Sequence, residues 1–169
     1  GSTGRIAADI SHYVEQKGDQ CKIAYGRGTA EDGIDAIRIE TKCGSIFHAI
    51  MTRITDRQGL YSKHATRYLI EDIRQYEPDI IHLHNIHGYY VNYEMLFRFF
   101  KEYNKPVVLT LHDCWAFTGH CAHFDAVGCD KWKIGCENCC QTKEYPTSWF
   151  RDASAENYVR KQQAFCGVE

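Results

Sequence analysis

The sequence has no apolar run approaching 18 residues, so it offers no membrane-spanning helix. It has no basic segment followed by an apolar one at its start, so nothing in it reads as a secretory leader. It has no charge excess either: 20 lysines and arginines stand against 22 acids, a net −2 at pH 7. That balance argues against a basic surface built for nucleic acid and against a polybasic membrane clamp. With only 3 prolines, no repeat and no Pro/Ser-rich tract, the chain offers no linker at which to divide it. Residues 1–169 therefore read as a single domain, long enough for a substantial core. No G-x-G-x-x-G is present, so a dinucleotide fingerprint is missing.

Cysteine is what the sequence has in abundance. Its 9 cysteines are an odd number and cannot all pair within one chain. Six of the 9 fall between Cys114 and Cys140, where a disulfide scaffold would spread them along the sequence. The clustering reads as a local site in a reducing, cytoplasmic setting.

Hydrophobic periodicity supplies the elements. Ile6, Ile10, Tyr13 and Val14 form one apolar stripe of a helix that stops at Lys17-Gly18. Short strands are expected at Cys21 to Tyr25 and Ile34 to Ile39. Helices follow at Cys43 to Thr55 and Ser62 to Tyr76, the second burying Ala65, Tyr68, Leu69, Ile73 and Tyr76. After Pro78 comes a strand closing on His82-Leu83-His84-Asn85, then a helix from Glu94 to Tyr103. A strand closing on His112-Asp113 is next, and a last helix runs from Ala153 to Phe165. From about residue 113 to 146 the pattern dissolves into a Cys-rich insertion, a long loop of the kind that carries function or is held by something. Helices alternating with strands predict an α/β domain, a Rossmann-like parallel sheet flanked by helices.

In such sheets ligands sit beyond the carboxyl ends of the strands. His84, Asn85, His112 and Asp113 close two strands and gather at one rim if those strands are neighbours, with His87 in the same connection. Such a rim suits a polar cleft that binds hydroxyls or moves a proton near pH 7. The competing readings are histidines that only bond loop backbone, and a two-histidine metal site. Gly1, Ser2, Thr3, Gly4 and Arg5 form a small turn ahead of the first helix, where free N–H groups and the helix dipole favour phosphate. Against that stand a Ser or Thr that only caps the helix, and a Gly1-Ser2 left over from cloning.

Cys121, Cys129, Cys136 and Cys139 make a C-x7-C-x6-C-x2-C array. Four thiolates around a tetrahedral zinc ion, closed to solvent, would be a structural site that holds the loop. Cys114 and Cys140 are spare candidates, His120 or His123 could replace one thiolate, and reduced or paired cysteines without metal are the alternative. A thioredoxin-like dithiol is disfavoured because Cys136 and Cys139 lie deep in a loop, and a Cys114 nucleophile beside His112 rests on sequence adjacency alone. Trp115, Phe117, Phe124, Trp132, Tyr145, Trp149 and Phe150 crowd the same segment. They serve to pack the loop, stack on sugars or lie on a membrane.

Four segments carry a family resemblance: Gly1 to Arg5, Asp79 to Asn85, Thr110 to Gly119, and Gly135-Cys136-x-x-Cys139. Together, and in this order, they resemble the amino-terminal half of bacterial family 4 glycosyltransferases of the capsular and exopolysaccharide type. The stretch from Thr110 to Cys139 is the most specific part. The resemblance implies a GT-B fold of two Rossmann-like domains, this one facing the acceptor and a second one, absent from the chain, holding the nucleotide-sugar donor. It also implies retaining hexosyl transfer to a glycan or lipid-linked acceptor without a catalytic metal. By the same resemblance Gly1 to Arg5 approach the donor phosphates and sugar, His112 lies beside the reacting sugar, and His84 and Asn85 match the acceptor-side rim. The family places a strand before the glycine turn, so the first strand is expected to be missing here, and without the donor-binding domain the chain alone is expected to be inactive. A peripheral association with the inner face of the membrane is compatible with a lipid-linked acceptor; nucleic acid is not an expected partner. A non-catalytic, zinc-stabilised binding module is the alternative.

Overall fold

The computed structural model describes residues 1–168. Five helices and four short strands follow one another along the described chain: α1 (Ser2–Gln16), β1 (Ile23–Tyr25), β2 (Ala36–Arg38), α2 (Lys42–Thr55), α3 (Lys63–Tyr76), β3 (Ile81–His84), α4 (Tyr93–Tyr103), β4 (Val107–Thr110) and α5 (Ser154–Phe165). Between Leu111 and Ala153 the only regular structure is two single-turn 3-10 helices, Asp125–Val127 and Lys131–Lys133.

Local chemistry fixes most of these boundaries. The Thr41 hydroxyl accepts the Gly44 N–H and opens α2, and the Asn92 side chain accepts the Met95 N–H and opens α4. Three helices end on a left-handed residue, Asp56, Glu77 and Asn104, whose reversed backbone turns the chain away. At the amino terminus the structure corrects the expected turn: Ser2 to Arg5 already lie within the first turn of α1, with Gly1 as its cap. First-turn N–H groups have no intrahelical acceptor, so glycine is tolerated there. A second correction concerns α3. Ala65 and Leu69 are buried, but Tyr68 is 66% exposed and lies edge-on against His64. On α1, Ile6 and Tyr13 are likewise exposed, and the helix packs through Ala8 and Ser11.

The strands are parallel, as the alternation requires, but they form two separate pairs. β1 runs beside β2 (Ile23 opposite Ala36), and β3 beside β4 (Ile81 opposite Val107, His84 opposite Thr110). On the inner face of β3–β4, Ile81, Leu83 and Val107 meet the core built from Leu69, Val91, Leu96, Phe97, Phe100 and Trp115. The outer face alternates with it and carries His82, His84, Val108 and Thr110.

Two buried residues, Asp56 and Lys161, help to tie the irregular segment to the body. The buried Asp56, just past α2, accepts from His120 Nδ1 on one oxygen (2.5 Å) and from the Ala153 N–H on the other (2.7 Å). Its carbonyl accepts from Asn157 Nδ2 (2.5 Å). From α5 the buried Lys161 donates to the carbonyls of Trp115 (2.6 Å) and Thr118 (3.0 Å) and lies 3.8 Å from the Trp115 ring centre.

Candidate functional site

The ends of β3 and β4 are neighbours, and the residues expected at one rim do meet. His84 and Thr110 are register partners, which brings His84 Nδ1 within 2.9 Å of His112 Nε2. In such a contact one ring nitrogen donates and the other accepts, so the two rings cannot both be protonated. Burial first, and then the neighbouring His82 and His112, hold His84 below the ordinary imidazole value. Neutral His84 therefore supplies one partner of the bond around pH 7. His82 lies beside it, ring centres 4.2 Å apart, and meets the Thr110 hydroxyl at 2.7 Å.

Asn85 stands at the same end in a left-handed backbone conformation (φ 42°). Its carbonyl accepts from the Tyr90 hydroxyl (2.8 Å), and its side-chain Nδ2 donates to Thr3 Oγ1 (3.0 Å). That last bond brings the first turn of α1 to the strand ends. Of the five residues in the expected phosphate-binding turn, Thr3 is the one tied to the rim, while Gly1, Ser2, Gly4 and Arg5 are exposed beside it.

Asp113 turns away from His84 and Asn85 toward a partner in the β3–α4 connection. Its Oδ2 accepts from His87 Nε2 (2.8 Å) and its Oδ1 from the Trp115 N–H (2.9 Å). Burial pushes the Asp113 carboxyl up, but the hydrogen bond and charge of His87 and the Trp115 N–H together bring it below the ordinary value. The other His87 nitrogen meets the Tyr145 hydroxyl (3.1 Å), which also receives Gln58 Nε2 (3.2 Å). With Asp113 ionised, His87 Nε2–H donates to the carboxylate and Gln58 N–H donates to Tyr145, while the Tyr145–His87 Nδ1 bond runs in the direction set by the proton on Nδ1. His87 is 6% exposed and its ring lies against Trp115, centres 5.0 Å apart. Asn85, His87, Thr110, His112, Asp113 and Trp115 share the lining of one recess at this rim.

Sequence reasoning missed Gln58, and it named Tyr145 only among the loop aromatics and not at this rim; the two come from loops 29 and 58 residues away from His87 and show no periodic signal. It also passed over Arg27, which follows β1 and whose charge acts on the Tyr89 and Tyr145 hydroxyls. Gly26 and Gly88 leave room for the Tyr90 ring between them: a Cβ on either would stand within 2.6 Å of it.

The four expected metal cysteines lie on the far side of the irregular segment. Cys121 and Cys139 are close enough for each thiol to act on the other. Their interaction holds Cys139 below the ordinary thiol value and pushes Cys121 above it. Cys136, raised mainly by burial, is close enough to Cys129 and Cys139 to feel the charge of each. Backbone N–H groups of Gly119 and Gln141 are directed at Cys136 and Cys139 respectively. All nine cysteines are free thiols. Among the described residues, no three His, Cys, Asp or Glu side chains stand as a ready-made metal site. Among them, too, no helix is long and apolar enough to cross a membrane.

Comparison with known proteins gives the family. The profile of Glycosyltransferase Family 4 matches residues 3–162. Over 74 residues the chain is 40% identical to an Escherichia coli (strain K12) protein provisionally named the colanic acid biosynthesis glycosyl transferase WcaC. The aligned stretch is 41% of this chain and only 18% of that protein. No solved structure matches the chain significantly. A family match over nearly the whole chain, on a parallel α/β frame with its polar residues at the strand ends, settles the relationship: the chain belongs to Glycosyltransferase Family 4.

Proposed function

We propose that this chain is the acceptor-side half of a retaining GT-B glycosyltransferase of surface-polysaccharide synthesis. The whole protein would move a hexose from a nucleotide diphosphate sugar to a glycan or lipid-linked acceptor. The observation that carries the reading is the Asn85–Thr3 bond, which joins the first turn of α1 to the strand ends that hold the His84–His112 pair. Breaking a sugar–phosphate bond leaves negative charge on the departing diphosphate. Free N–H groups at the start of a helix stabilise that charge more in the transition state than in the ground state. Gly1 to Arg5 take this part, completed by a second domain that grips the nucleotide. His112, held by neutral His84, bonds a hydroxyl of the transferring sugar. It is not the general base, because in a front-face reaction the leaving phosphate accepts the acceptor's proton. Asp113 is a positioning residue, fixing the β4 loop through His87 and the Trp115 N–H.

The acceptor reading gains support from the surface. Ile46, Phe47 and Ile50 of α2 are exposed, and so are Trp149 and Phe150, joined to α2 by the Trp149 N–H to Arg53 carbonyl bond (2.7 Å). Apolar and aromatic groups beside arginines suit the inner face of a membrane, where a cytoplasmic enzyme would meet a lipid-linked acceptor.

The test is a donor screen on the full protein, reading nucleotide diphosphate release that depends on an acceptor extract. We expect one nucleotide sugar to be used, and His112→Ala to lower kcat by roughly 10- to 100-fold, the range of one or two lost hydrogen bonds. Folded full-length protein that neither binds nor turns over any nucleotide sugar would return the chain to the class of non-catalytic binding modules.

A further inference from the structure

Three segments far apart in the sequence meet at the Tyr145 hydroxyl. Gln58 comes from the connection between α2 and α3, His87 from the connection between β3 and α4, and Tyr145 from the irregular segment after β4. The hydroxyl stands 3.2 Å from Gln58 Nε2 and 3.1 Å from His87 Nδ1. Gln58 Nε2 also donates to the His87 carbonyl (2.8 Å), so one buried amide holds both the backbone of His87 and the hydroxyl that faces its ring. On the other side of the ring, Nε2 meets Asp113 Oδ2 (2.8 Å).

The turn that delivers Tyr145 is itself fixed. The Ser148 N–H donates to the Thr142 carbonyl (2.7 Å) and closes the chain around Tyr145, and the Trp149 N–H to Arg53 carbonyl bond ties the turn to α2. Lys143 Nζ donates to the carbonyls of Ser148 (3.3 Å) and Trp149 (3.2 Å). Burial pushes the Tyr145 hydroxyl up to about 12, so it keeps its proton near pH 7. When the His87 ring carries one proton, held toward Asp113 at Nε2, its Nδ1 is an acceptor and the Tyr145 O–H donates to it. An imidazole bonded at one nitrogen can rock about that bond; bonded at both, it has one orientation.

The orientation matters because of what lies beyond it. Asp113 uses its second oxygen to accept the Trp115 N–H (2.9 Å), which bends the chain directly after β4. His112 is the residue before that bend, and its Nε2 lies 2.9 Å from His84 Nδ1. We propose, on the acceptor-side reading of this rim, that Tyr145 is a positioning residue: its hydroxyl fixes the His87 ring against Asp113 and thereby sets the end of β4 that carries His112. The irregular segment is then part of the site, through one hydroxyl.

Tyr145→Phe isolates this bond. The ring stays, with its edge contact to Tyr89 (centres 6.4 Å apart), and so do the backbone bonds of the turn. Gln58 Nε2 keeps the His87 carbonyl, whereas His87 Nδ1 loses its partner. In the full protein, supplied with donor and acceptor, we expect Tyr145→Phe to lower kcat about 10-fold while KM for the nucleotide sugar moves by less than about 2-fold. Asp113→Asn should lower kcat as well, and the double variant should fall no further than the slower single variant, because both break one chain of bonds. Nitrogen NMR of the histidine rings gives a second reading that needs no turnover. Tyr145→Phe should move the ring signals of His87 and His112 and leave those of the exposed His64 in place. A residue that merely packs the loop would lower the melting temperature, leave kcat unchanged and leave the His112 signals where they are. Any of three results overturns the proposal: parental kcat in Tyr145→Phe, losses that multiply with those of Asp113→Asn, or unmoved His112 signals. Full protein that transfers no sugar would instead remove the glycosyltransferase reading, and the ring signals would still decide whether Tyr145 sets the rim.

Discussion

Single residues show where burial and charge set the chemistry. His48 is fully buried in α2, its Nδ1 meeting the Ser62 hydroxyl (2.8 Å) and its Nε2 accepting the Gly59 N–H (3.1 Å). Gly59 cannot give way, since its φ is +77° and a Cβ there would lie 2.8 Å from the Tyr93 ring. Burial takes His48 down from 6.5 to about 4, so the folded chain holds it neutral while the unfolded chain protonates it. Between those values the unfolded state binds more protons, and stability falls with falling pH. The loss starts near pH 6.5 and reaches about 3 kcal/mol by pH 4. We expect thermal denaturation followed from pH 7 to pH 4 to show this fall, and His48→Leu, though less stable at pH 7, to show a flatter curve. An equal slope in the variant would assign the acid sensitivity elsewhere. The rim pair was readable because two strands ending in His-Asn and His-Asp are visible as letters. Gln58 and Tyr145 were not, because their place beside His87 depends on how distant loops dock.

At the scale of elements, the legible boundaries are those with a chemical signal in the chain. Pro78, read from the sequence as a stop, follows the end of α3, whereas the parts of Thr41, Asn92 and Asn104 at helix ends emerge from the structure. The start of α1 was misread because glycine signals a turn, although a first helical turn tolerates it. Nothing in α5's own pattern announces its main task. Lys161 reads as an ordinary helix-surface lysine, yet it is buried with its nitrogen on the Trp115 and Thr118 carbonyls. Burial pulls it down to about 7, against the charges of Asp56, Cys136 and Cys121. Either protonation state donates to both carbonyls. Lys161→Met keeps the stem and removes the donors, leaving two buried carbonyls unpaired at a cost of roughly 2 to 4 kcal/mol. We expect the loss to appear as a lowered urea midpoint with unchanged slope. A variant within about 0.5 kcal/mol of the parent would mean that the loop is held without this bond.

Across the whole molecule, sequence pattern identifies strands and their parallel sense, but not which strands meet. The alternation pointed to one continuous sheet, whereas β1–β2 and β3–β4 are separate pairs. Strand choice is a tertiary matter, decided by which edges come together, and three-residue strands carry little register information. The arrangement leaves His82 and Val108 open to solvent on the outer face of β3–β4, where parallel strands are usually covered on both sides. It also distributes the proposed chemistry unevenly. In the proposed reading His84 and His112 face the sugar, while the groups assigned to the diphosphate are the first turn of α1 and the exposed Arg5. A helix terminus at an exposed site contributes about 0.3 to 1 kcal/mol, and an exposed ion pair no more than that. Millimolar binding already requires about 4 kcal/mol. We therefore expect this chain alone to bind a nucleotide diphosphate sugar no more tightly than about 1 mM, and to transfer nothing, while the full protein binds and turns over the same donor. Calorimetric titration of both decides it. Micromolar binding by the chain alone would place the donor site here, and the acceptor-side assignment of the His84–His112 rim would have to be abandoned.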